Sequence, residues 1–229
     1  MKKLTEEDIK FRYITPAIEE AGWTKNQILM EYFFTDGQVL VRGNTVKRGK
    51  RKKADYLLTH QDGQLPLAII EAKDADHSVG DGLQQAMDYA EILNIPFAYS
   101  SNGSGFIEHD YFTGEERELE LDNFPNESEL WSRYIKGKGF DDAQEKVVAE
   151  PDYFDTFSQT KPRYYQRIAI NKTLEAIAKG QDRILLVMAT GTGKTYTAFQ
   201  IIWKLLKTET VKRVLYLADR NILIDQTMQ

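Results

Sequence analysis

The sequence predicts an α/β protein with two domains. In the first part of the chain, short apolar segments alternate with turn signals and helical patterns, which is typical of a domain that mixes strands and helices. Beyond residue 161, helix and strand patterns alternate at short intervals, which indicates the beginning of a parallel α/β domain. A polar stretch, residues 146–160, is predicted to be a linker. The domains are therefore placed at residues 1–145 and 161–229.

The composition excludes several classes of protein. Of the 229 residues, 41% are hydrophobic and 28% are charged, as in an ordinary globular protein. Cysteine is absent, which rules out a disulfide framework and a thiolate metal site. The opening MKKLTEEDIK lacks the apolar stretch of a signal peptide, and no apolar run approaches membrane-spanning length. We therefore expect a cytoplasmic protein that does not associate with a membrane.

The amino-terminal residues predict two consecutive helices. Thr5 can cap the first helix, and the acids at positions 6–8 suit its positive first turn. Pro16 interrupts the apolar face, and proline suits the first position of a new helix. Gly22 is then expected to end the second helix.

Strand patterns follow these helices. Residues 31–42 are rich in strand-forming residues, with an Asp-Gly turn signal at residues 36–37. After a basic run, residues 54–58 predict another strand. A second Asp-Gly signal at residues 62–63 leads into an apolar strand over residues 65–70, bounded by turn residues as a buried strand is.

The remainder of the first domain combines helices and strands. Asp81 can cap a helix, with Gln84 completing a capping box before apolar residues at helical spacing. Residues 96–112 predict a strand, a turn and a second strand. Residues 126–135 predict another helix, capped by Asn126.

The second domain is predicted to alternate helix and strand. The helices are placed at residues 163–179 and 194–206, and the strands at residues 184–189 and 213–218. A strand, a helix and a further strand in close succession form a parallel crossover unit.

Two acids and a lysine stand at the ends of neighbouring predicted strands. Side chains alternate along a strand, so Glu71 and Lys73 point to the same side. If the strands pair through the turn at residues 62–63, Asp55 and Glu71 converge at one end of the sheet. Two carboxylates with the main-chain carbonyl of Ala72 suit Mg²⁺, and a lysine beside them can orient a water or offset charge on a phosphate. The alternative is the solvated end of a strand.

A basic run leads directly into the Asp55 strand. Its seven residues are Lys47, Arg48, Gly49, Lys50, Arg51, Lys52 and Lys53, and all of them except the glycine are basic. We predict that it forms a loop, which is either simply solvated or binds the phosphates of DNA. Although the net charge of the chain is −5, the position of the run beside the acids favours DNA binding.

The predicted helix after these strands completes a recognisable set. Gln85 and Tyr89 are four residues apart and therefore share a helix face. With Asp55 as the first acid and Glu71 to Lys73 as E-x-K, the set resembles the PD-(D/E)xK nuclease superfamily. Residues 85–89 match the Q-x-x-x-Y element of helicase–nuclease enzymes. The resemblance implies a Mg²⁺-dependent nuclease with a central mixed sheet flanked by helices.

The resemblance leaves two positions open. Ala54 stands where the family pattern has proline before the first acid. An acid from the first helix often completes the site in this family, and Glu6 fits the pattern better than the alternative, Glu7. Either acid could instead serve the helix dipole. The implied catalytic residues are Asp55, Glu71, Lys73, Gln85, Tyr89 and Glu6.

A glycine-rich turn follows the first predicted strand of the second domain and opens a helix. Its residues are Thr190, Gly191, Thr192, Gly193, Lys194 and Thr195. Glycines let backbone N–H groups surround an anion, and the helix N-terminus adds partial positive charge. Lys194 would reach the outer phosphates of a nucleotide, and the Thr195 hydroxyl would coordinate Mg²⁺. The alternative is an ordinary glycine-rich turn.

This turn resembles motif I of superfamily 2 helicases, in which the first glycine of the phosphate loop is commonly missing; Met188 takes that place here. Residues 163–166 resemble the adenine-reading Q motif, with Gln166 as its glutamine. Residues 214–220 resemble motif Ia. The resemblance implies a RecA-like motor that binds ATP. No D-E-x-x box follows, so we expect the amino-terminal part of a longer motor.

The order of nuclease, linker and superfamily 2 motor resembles the R subunit of type I restriction–modification enzymes. The resemblance implies a subunit that uses ATP to translocate double-stranded DNA and then cuts it. Methyltransferase and specificity subunits would be its partners, and they would recognise the site. The alternatives are another helicase–nuclease of restriction or DNA repair, and a DNA-tethering module with a degenerate nuclease.

Overall fold

The computed structural model describes residues 4–35, 39–42, 45–48, 50–61, 63–149, 152–154 and 161–217, with the backbone alone for residues 39–42 and 45–48. The chain divides into two compact units, Met1–Lys138 and Gly139–Gln229. None of the helices in these described ranges combines the length and the hydrophobicity that a membrane-spanning segment requires.

The first unit begins with three helical segments in direct succession: α1 (Glu6–Ile9), a π-helical turn (Lys10–Ile14) and α2 (Thr15–Glu20). Thr5 caps α1 as predicted. Its hydroxyl accepts a hydrogen bond from the Asp8 N–H (3.2 Å), and its own N–H donates to the Asp8 carboxylate (3.0 Å). Gly22, with φ of 97°, follows the end of α2, which confirms the predicted stop.

Pro16 stands in the first turn of α2, as predicted, but no break separates α2 from the helical segment before it. The N–H of Thr15 donates to the carbonyl of Lys10, five residues earlier, and the chain passes from α1 to α2 without a break. In a regular α-helix the proline ring would collide with the carbonyl four residues earlier. The wider π turn accommodates that ring, so the sequence signal for a break becomes a local change in helix width.

A six-stranded mixed sheet forms the centre of this unit, in the order β1-β4-β5-β6-β7-β8. The described residues of this unit form eight strands: β1 (Ile28–Thr35), β2 (Val39–Arg42), β3 (Thr45–Arg48), β4 (Arg51–His60), β5 (Leu65–Ala72), β6 (Phe97–Ser101), β7 (Phe106–Asp110) and β8 (Glu115–Leu119). Among the five neighbouring pairs of the six-stranded sheet, only β5 and β6 are parallel, and α3 (Leu83–Leu93) supplies the crossover that a parallel pair needs. β2 and β3 form a separate ribbon.

The core lies along β4, β5 and β6. All but one of the residues of β5 are buried, so both of its faces are covered. α3 packs on β5 and β6, and α4 (Glu127–Lys138) packs on β4 and β5. Arg133 of α4 ties the helix to the sheet, because its guanidinium donates to Glu108 and Asp110, each at 2.7 Å.

One prediction about the strands is confirmed and one is corrected. Residues 31–42 contribute strands on both sides of the Asp-Gly signal, β1 before it and β2 after it, although in different sheets; the signal itself, residues 36–37, lies outside the described residues. The basic run is not a loop, because β3 ends at Arg48 and β4 already begins at Arg51. Residues 51–53 pair with β1 but extend past β5, so this end of β4 can carry charged side chains.

The helix after β5 is present, but its predicted cap is wrong. α3 begins at Leu83, with Gly82 in the N-cap position and no capping side chain. The Asp81 carboxylate instead accepts a hydrogen bond from the N–H of Ser78 (3.1 Å). This local turn competes with the helix for the aspartate, as short polar side chains commonly do.

The later strands and helix of this unit follow the prediction, with one addition. Residues 96–112 contain β6 and β7, and the Asn126 side chain accepts from the N–H of Glu129 (2.9 Å) at the start of α4. β8 was not predicted. Its sequence, Glu-Glu-Arg-Glu-Leu, is mostly exposed at the edge of the sheet and therefore lacks the apolar alternation that identifies a strand.

The second unit contains α5 (Asp142–Ala149), α6 (Tyr164–Ala178) and α7 (Lys194–Lys207). Among the described residues of this unit, Ile170, Leu174, Ile201 and Leu205 form a buried hydrophobic cluster. α5 was not predicted, and it occupies the end of the predicted first domain and the start of the predicted linker. The rest of that linker lies largely outside the described residues.

The two strands predicted for this unit are not present as strands. Residues 184–189 and 213–217 have no β pairing in the part of the unit that is described, and residue 218 lies outside it. Exposure alternates along the first segment, from 86% at Leu185 to 39% at Leu186. A strand is defined by main-chain hydrogen bonds to a neighbour, so apolar alternation alone does not produce one.

Candidate active site

Asp55 and Glu71 converge at the end of two paired strands. β4 and β5 are antiparallel, and each acid lies one residue beyond the paired residues Tyr56 and Ile70. Both side chains are buried, with 5% and 2% of their surface exposed. The Asp55 Oδ2 atom accepts a hydrogen bond from the N–H of Ala72 (2.8 Å), which places the Ala72 backbone beside both carboxylates.

Gln85 links the acid and the lysine of the E-x-K element. Its amide nitrogen donates to Glu71 Oε2 (2.6 Å), and its amide oxygen accepts from Lys73 Nζ (3.1 Å). The same nitrogen lies 3.2 Å from the hydroxyl of Tyr89, one helical turn later. The structure therefore brings together Glu71, Lys73, Gln85 and Tyr89 through one hydrogen-bonded chain.

Gly82 allows α3 to approach the strands this closely, and sequence reasoning missed it. A β-carbon at this position would lie 2.7 Å from Ser100 Oγ, 3.2 Å from Lys73 Cε and 3.3 Å from Glu71 Cβ. The last two contacts are with the E-x-K element itself. A side chain at residue 82 would therefore push α3, and Gln85 with it, away from the acids.

The first helix brings Glu6 within electrostatic reach of the site. Burial raises the pKa of Glu6, and the negative charge of Asp55 raises it further. The alternative acid, Glu7, is 73% exposed and contacts the Lys10 ammonium instead (2.6 Å). Among the described residues, no group of three or more acidic, histidine or cysteine side chains is placed to share a metal ion.

The electrostatics of Glu71 fit a cation site. Burial raises the pKa of Glu71 to about 8, and the charge of Asp55 adds to the effect. Its Oε1 atom is buried and has no hydrogen-bond partner. A divalent cation bound by Asp55, Glu71 and the Ala72 carbonyl would satisfy this oxygen and offset the repulsion between the carboxylates.

Lys10 and Glu31 are further residues that sequence reasoning missed. The Lys10 side chain is 1% exposed, and its ammonium lies 2.6 Å from Glu31 Oε1 and 3.2 Å from Asp55 Oδ1. Glu31 has φ of 54° and stands in β1 between the paired residues Met30 and Tyr32. Nothing in the residues around Lys10 distinguishes it from an ordinary exposed lysine of a helix, so the sequence carries no signal for its burial.

In the basic run, Lys52 lies near a residue of the candidate site, and the charge of Lys53 is offset by an acid. The Lys52 ammonium lies 5.4 Å from the ring centre of Tyr89, and the Arg51 guanidinium lies over the ring of Phe33 (3.7 Å). Lys53 is paired with Glu31. Lys50 is exposed. For Lys47 and Arg48 the structure describes the backbone alone.

In the second unit, the predicted nucleotide-binding residues form a turn before α7. Gly191 and Gly193 have φ of 77° and 82°, and α7 begins at Lys194. The Gln166 side chain donates to the Thr192 carbonyl (2.9 Å), which joins the predicted Q motif to the turn. The Lys194 ammonium lies 3.4 Å from the carbonyls of Met188 and Ala189.

The remaining predicted ligands lie in or beside this turn. Thr190 precedes the glycines and is exposed, and the Thr192 hydroxyl donates to the Ala189 carbonyl (2.6 Å). Thr195 follows Lys194 in the first turn of α7 and is half-buried. The structure therefore gathers all of the predicted nucleotide-binding residues around one helix N-terminus.

Comparison with known proteins relates the whole chain to one group. The chain is 50% identical over 232 residues to the EcoAI endonuclease subunit, a type I restriction enzyme subunit of Escherichia coli, and the match covers 99% of this chain. By sequence, the chain is a homologue of type I restriction endonuclease subunits. The EcoKI endonuclease subunit of E. coli strain K12 is 26% identical over 291 residues, which include 98% of this chain.

A solved structure and a family profile agree with this relationship. A fragment assigned to the HsdR subunit of a type I restriction enzyme from Vibrio vulnificus YJ016 matches 91% of the chain, with a TM-score of 0.77 and 44% identity. Residues 159–229 match the family described as type III restriction enzyme, res subunit. The chain spans 28% and 23% of the two E. coli endonuclease subunits, and 39% of the Vibrio chain.

Proposed function

We propose that the chain carries the nuclease centre of a type I restriction endonuclease subunit and the start of its ATP-driven motor. The observation that carries the proposal is the convergence of Asp55, Glu71 and Lys73, with a buried Glu71 oxygen that lacks a partner. The substrate of the nuclease centre is the phosphodiester backbone of double-stranded DNA. The domains would be those expected from the sequence, with the motor in residues 161–229.

Each residue of the nuclease centre has a distinct task. Asp55, Glu71 and the Ala72 carbonyl would hold Mg²⁺, which when bound activates water and neutralises charge on the phosphate. Lys73 stabilises the additional negative charge that develops on the phosphate during attack by water. Gln85 orients Glu71 and Lys73 through its two hydrogen bonds.

The surrounding residues support binding rather than bond cleavage. Tyr89 fixes the Gln85 amide, and Glu6 adds negative charge close to Asp55. The basic side chains of Lys47, Arg48, Lys50, Arg51, Lys52 and Lys53 attract the DNA backbone without regard to sequence. Site recognition would therefore belong to methyltransferase and specificity subunits in the assembled cytoplasmic enzyme.

The second unit would bind ATP at the turn before α7. Gly191, Gly193 and the N-terminus of α7 would surround the phosphates, with Thr190 and Thr192 completing the loop. Lys194 would exchange its contacts with two carbonyls for the outer phosphates, and Thr195 would hold the accompanying Mg²⁺. Gln166 already contacts the loop and would read the adenine base.

Plasmid cleavage by the purified chain in Mg²⁺ or Mn²⁺ tests the nuclease centre. Wild type should nick supercoiled DNA, and Lys73→Ala should reduce the rate by about 100-fold or more. Asp55→Asn should remove cleavage, whereas Asp122→Asn, which changes an exposed acid outside the site, should not. Equal nicking by wild type and Asp55→Asn would contradict the proposal. DNA binding without metal-dependent cleavage would favour the tethering module.

A further inference from the structure

The ammonium of Lys10 occupies a point where three carboxylates meet. Its Nζ atom lies 2.6 Å from Glu7 Oε1, 2.6 Å from Glu31 Oε1 and 3.2 Å from Asp55 Oδ1. The Lys10 side chain is 1% exposed. A lysine is seldom buried this completely, and burial of its charge is tolerated here because three acids surround it.

Two unusual features of the backbone bring these groups together. Lys10 is the first residue of the π-helical turn, which widens the helix at this residue. Glu31 has a left-handed conformation, which is uncommon for a residue other than glycine, and it lies between two paired residues of β1. A regular helix and a regular strand would point these side chains elsewhere.

The same carboxylate, Asp55, also belongs to the proposed nuclease centre. Nucleases with two metal ions place the second ion about 4 Å from the first, on a carboxylate that the two ions share. In this chain, Lys10 already holds Asp55 Oδ1, while Oδ2 lies beside the Ala72 backbone near Glu71. The protein therefore supplies a positive charge of its own on one side of Asp55.

We propose that the Lys10 ammonium takes the place of a second divalent cation, so that the centre binds a single ion through Asp55 and Glu71. Lys10 is thus a positioning residue, because it holds Asp55 and does not need to contact the DNA. This inference rests on the proposed nuclease function. No three acids among the described residues are placed to share a metal ion while Lys10 is present. Removal of the ammonium would free oxygens of Glu7, Glu31 and Asp55 to close around a hard divalent cation, with Lys53 still paired to the other Glu31 oxygen.

The test is the number of Mn²⁺ ions bound per chain without nucleotide, measured by electron paramagnetic resonance and calorimetry. Wild type should bind one ion, and Lys10→Met should bind two whose spectrum is broadened by coupling between neighbouring ions. Lys10→Arg keeps the positive charge and should bind one. The double variant Lys10→Met with Glu31→Gln removes one of the three carboxylates and should return to one.

Several outcomes would overturn the inference. One is a single ion in Lys10→Met with wild-type affinity. Another is a Lys10→Met chain that is unfolded both with and without Mn²⁺, because Lys10 would then have a role in folding that a cation cannot replace. Unfolding that Mn²⁺ reverses would support the inference. If wild type binds no ion and matches Asp55→Asn, the proposed nuclease centre itself fails.

Discussion

At the scale of single residues, Glu71 is the group for which a proton and the proposed metal ion would compete. Its carboxyl is buried beside Asp55, so the pKa of Glu71 rises to about 8, and the proton stays bound at neutral pH in the absence of a cation. A bound divalent ion needs the carboxylate and displaces that proton. Occupancy of the proposed centre should therefore depend on pH.

The affinity of the chain for Mn²⁺ should rise with pH up to about 8 and then level off, because the Glu71 proton no longer competes. Calorimetry in buffers of different ionisation heat should detect a proton released on binding below that pH. Glu71→Gln, which cannot release it, is the control. An affinity that stays constant between about pH 6 and 8 would show that Glu71 is not a ligand.

The same pKa fixes the direction of a stability change in the metal-free chain. The pKa of Glu71 is higher in the folded chain than in the unfolded chain, so the proton favours the folded state. The free energy of unfolding should therefore fall as pH rises from about 4.5 to 8, while this contribution is lost. Urea unfolding across this range, compared with Glu71→Gln, isolates the contribution. A variant that keeps the wild-type slope would refute it.

At the scale of elements, the arrangement of the proposed catalytic residues depends on how closely α3 lies against β5 and β6. Gln85 can reach both Glu71 and Lys73 only because Gly82 leaves no side chain between the helix and the strands. The N–H of Gly82 also donates to Ser100 Oγ (3.1 Å), which holds the start of the helix on β6. The packing of α3 and the proposed catalysis therefore depend on the same close contact at Gly82.

Gly82→Ala should destabilise the fold by about 1–3 kcal/mol and slow DNA cleavage, because the added methyl group displaces α3. Thermal unfolding and the plasmid assay would measure both effects. Ser100→Ala in the same chain removes the nearest atom, which lies 2.7 Å from the added carbon, and should recover part of the stability. Unchanged stability and cleavage in Gly82→Ala would mean that α3 is not held at this distance.

At the scale of the whole molecule, the proposal places two sites with different tasks on one chain. One unit holds the carboxylates and Lys73, and the other holds the glycine-rich turn with Lys194. If the motor must run before DNA is cut, loss of the two lysines should have unequal consequences. That inequality would distinguish a coupled enzyme from a nuclease that acts alone.

In a full-length subunit assembled with its partners, Lys73→Ala should abolish cutting and leave ATP hydrolysis and translocation intact, since it removes only charge stabilisation at the nuclease centre. Lys194→Ala should abolish all three, since it removes a phosphate contact of the motor. ATPase rate, translocation and plasmid cleavage provide the comparison. Robust cleavage by Lys194→Ala would show that cutting by the assembled enzyme is not coupled to the motor, whatever nicking the isolated chain performs.

The sequence by itself determined which side chains lie together within one strand, helix or turn, because that depends only on their spacing along the chain. Period-two alternation placed Glu71 and Lys73 on one side of a strand, helical spacing placed Gln85 and Tyr89 on one face, and the glycine-rich turn before α7 was apparent from its order of residues. These predictions needed only neighbours a few positions away. The same local rules did not predict the wider helical turn that precedes Pro16 and lets the chain continue into α2 without a break.

Only the tertiary structure decided which distant groups surround Asp55. Lys10 lies 45 positions away in sequence and contacts Asp55 because the first helix packs against the end of the sheet. Glu31 reaches the same ammonium from a left-handed position in β1 that no sequence period marks. Burial and electrostatic attraction act through space, so their outcome depends on elements that meet only after folding.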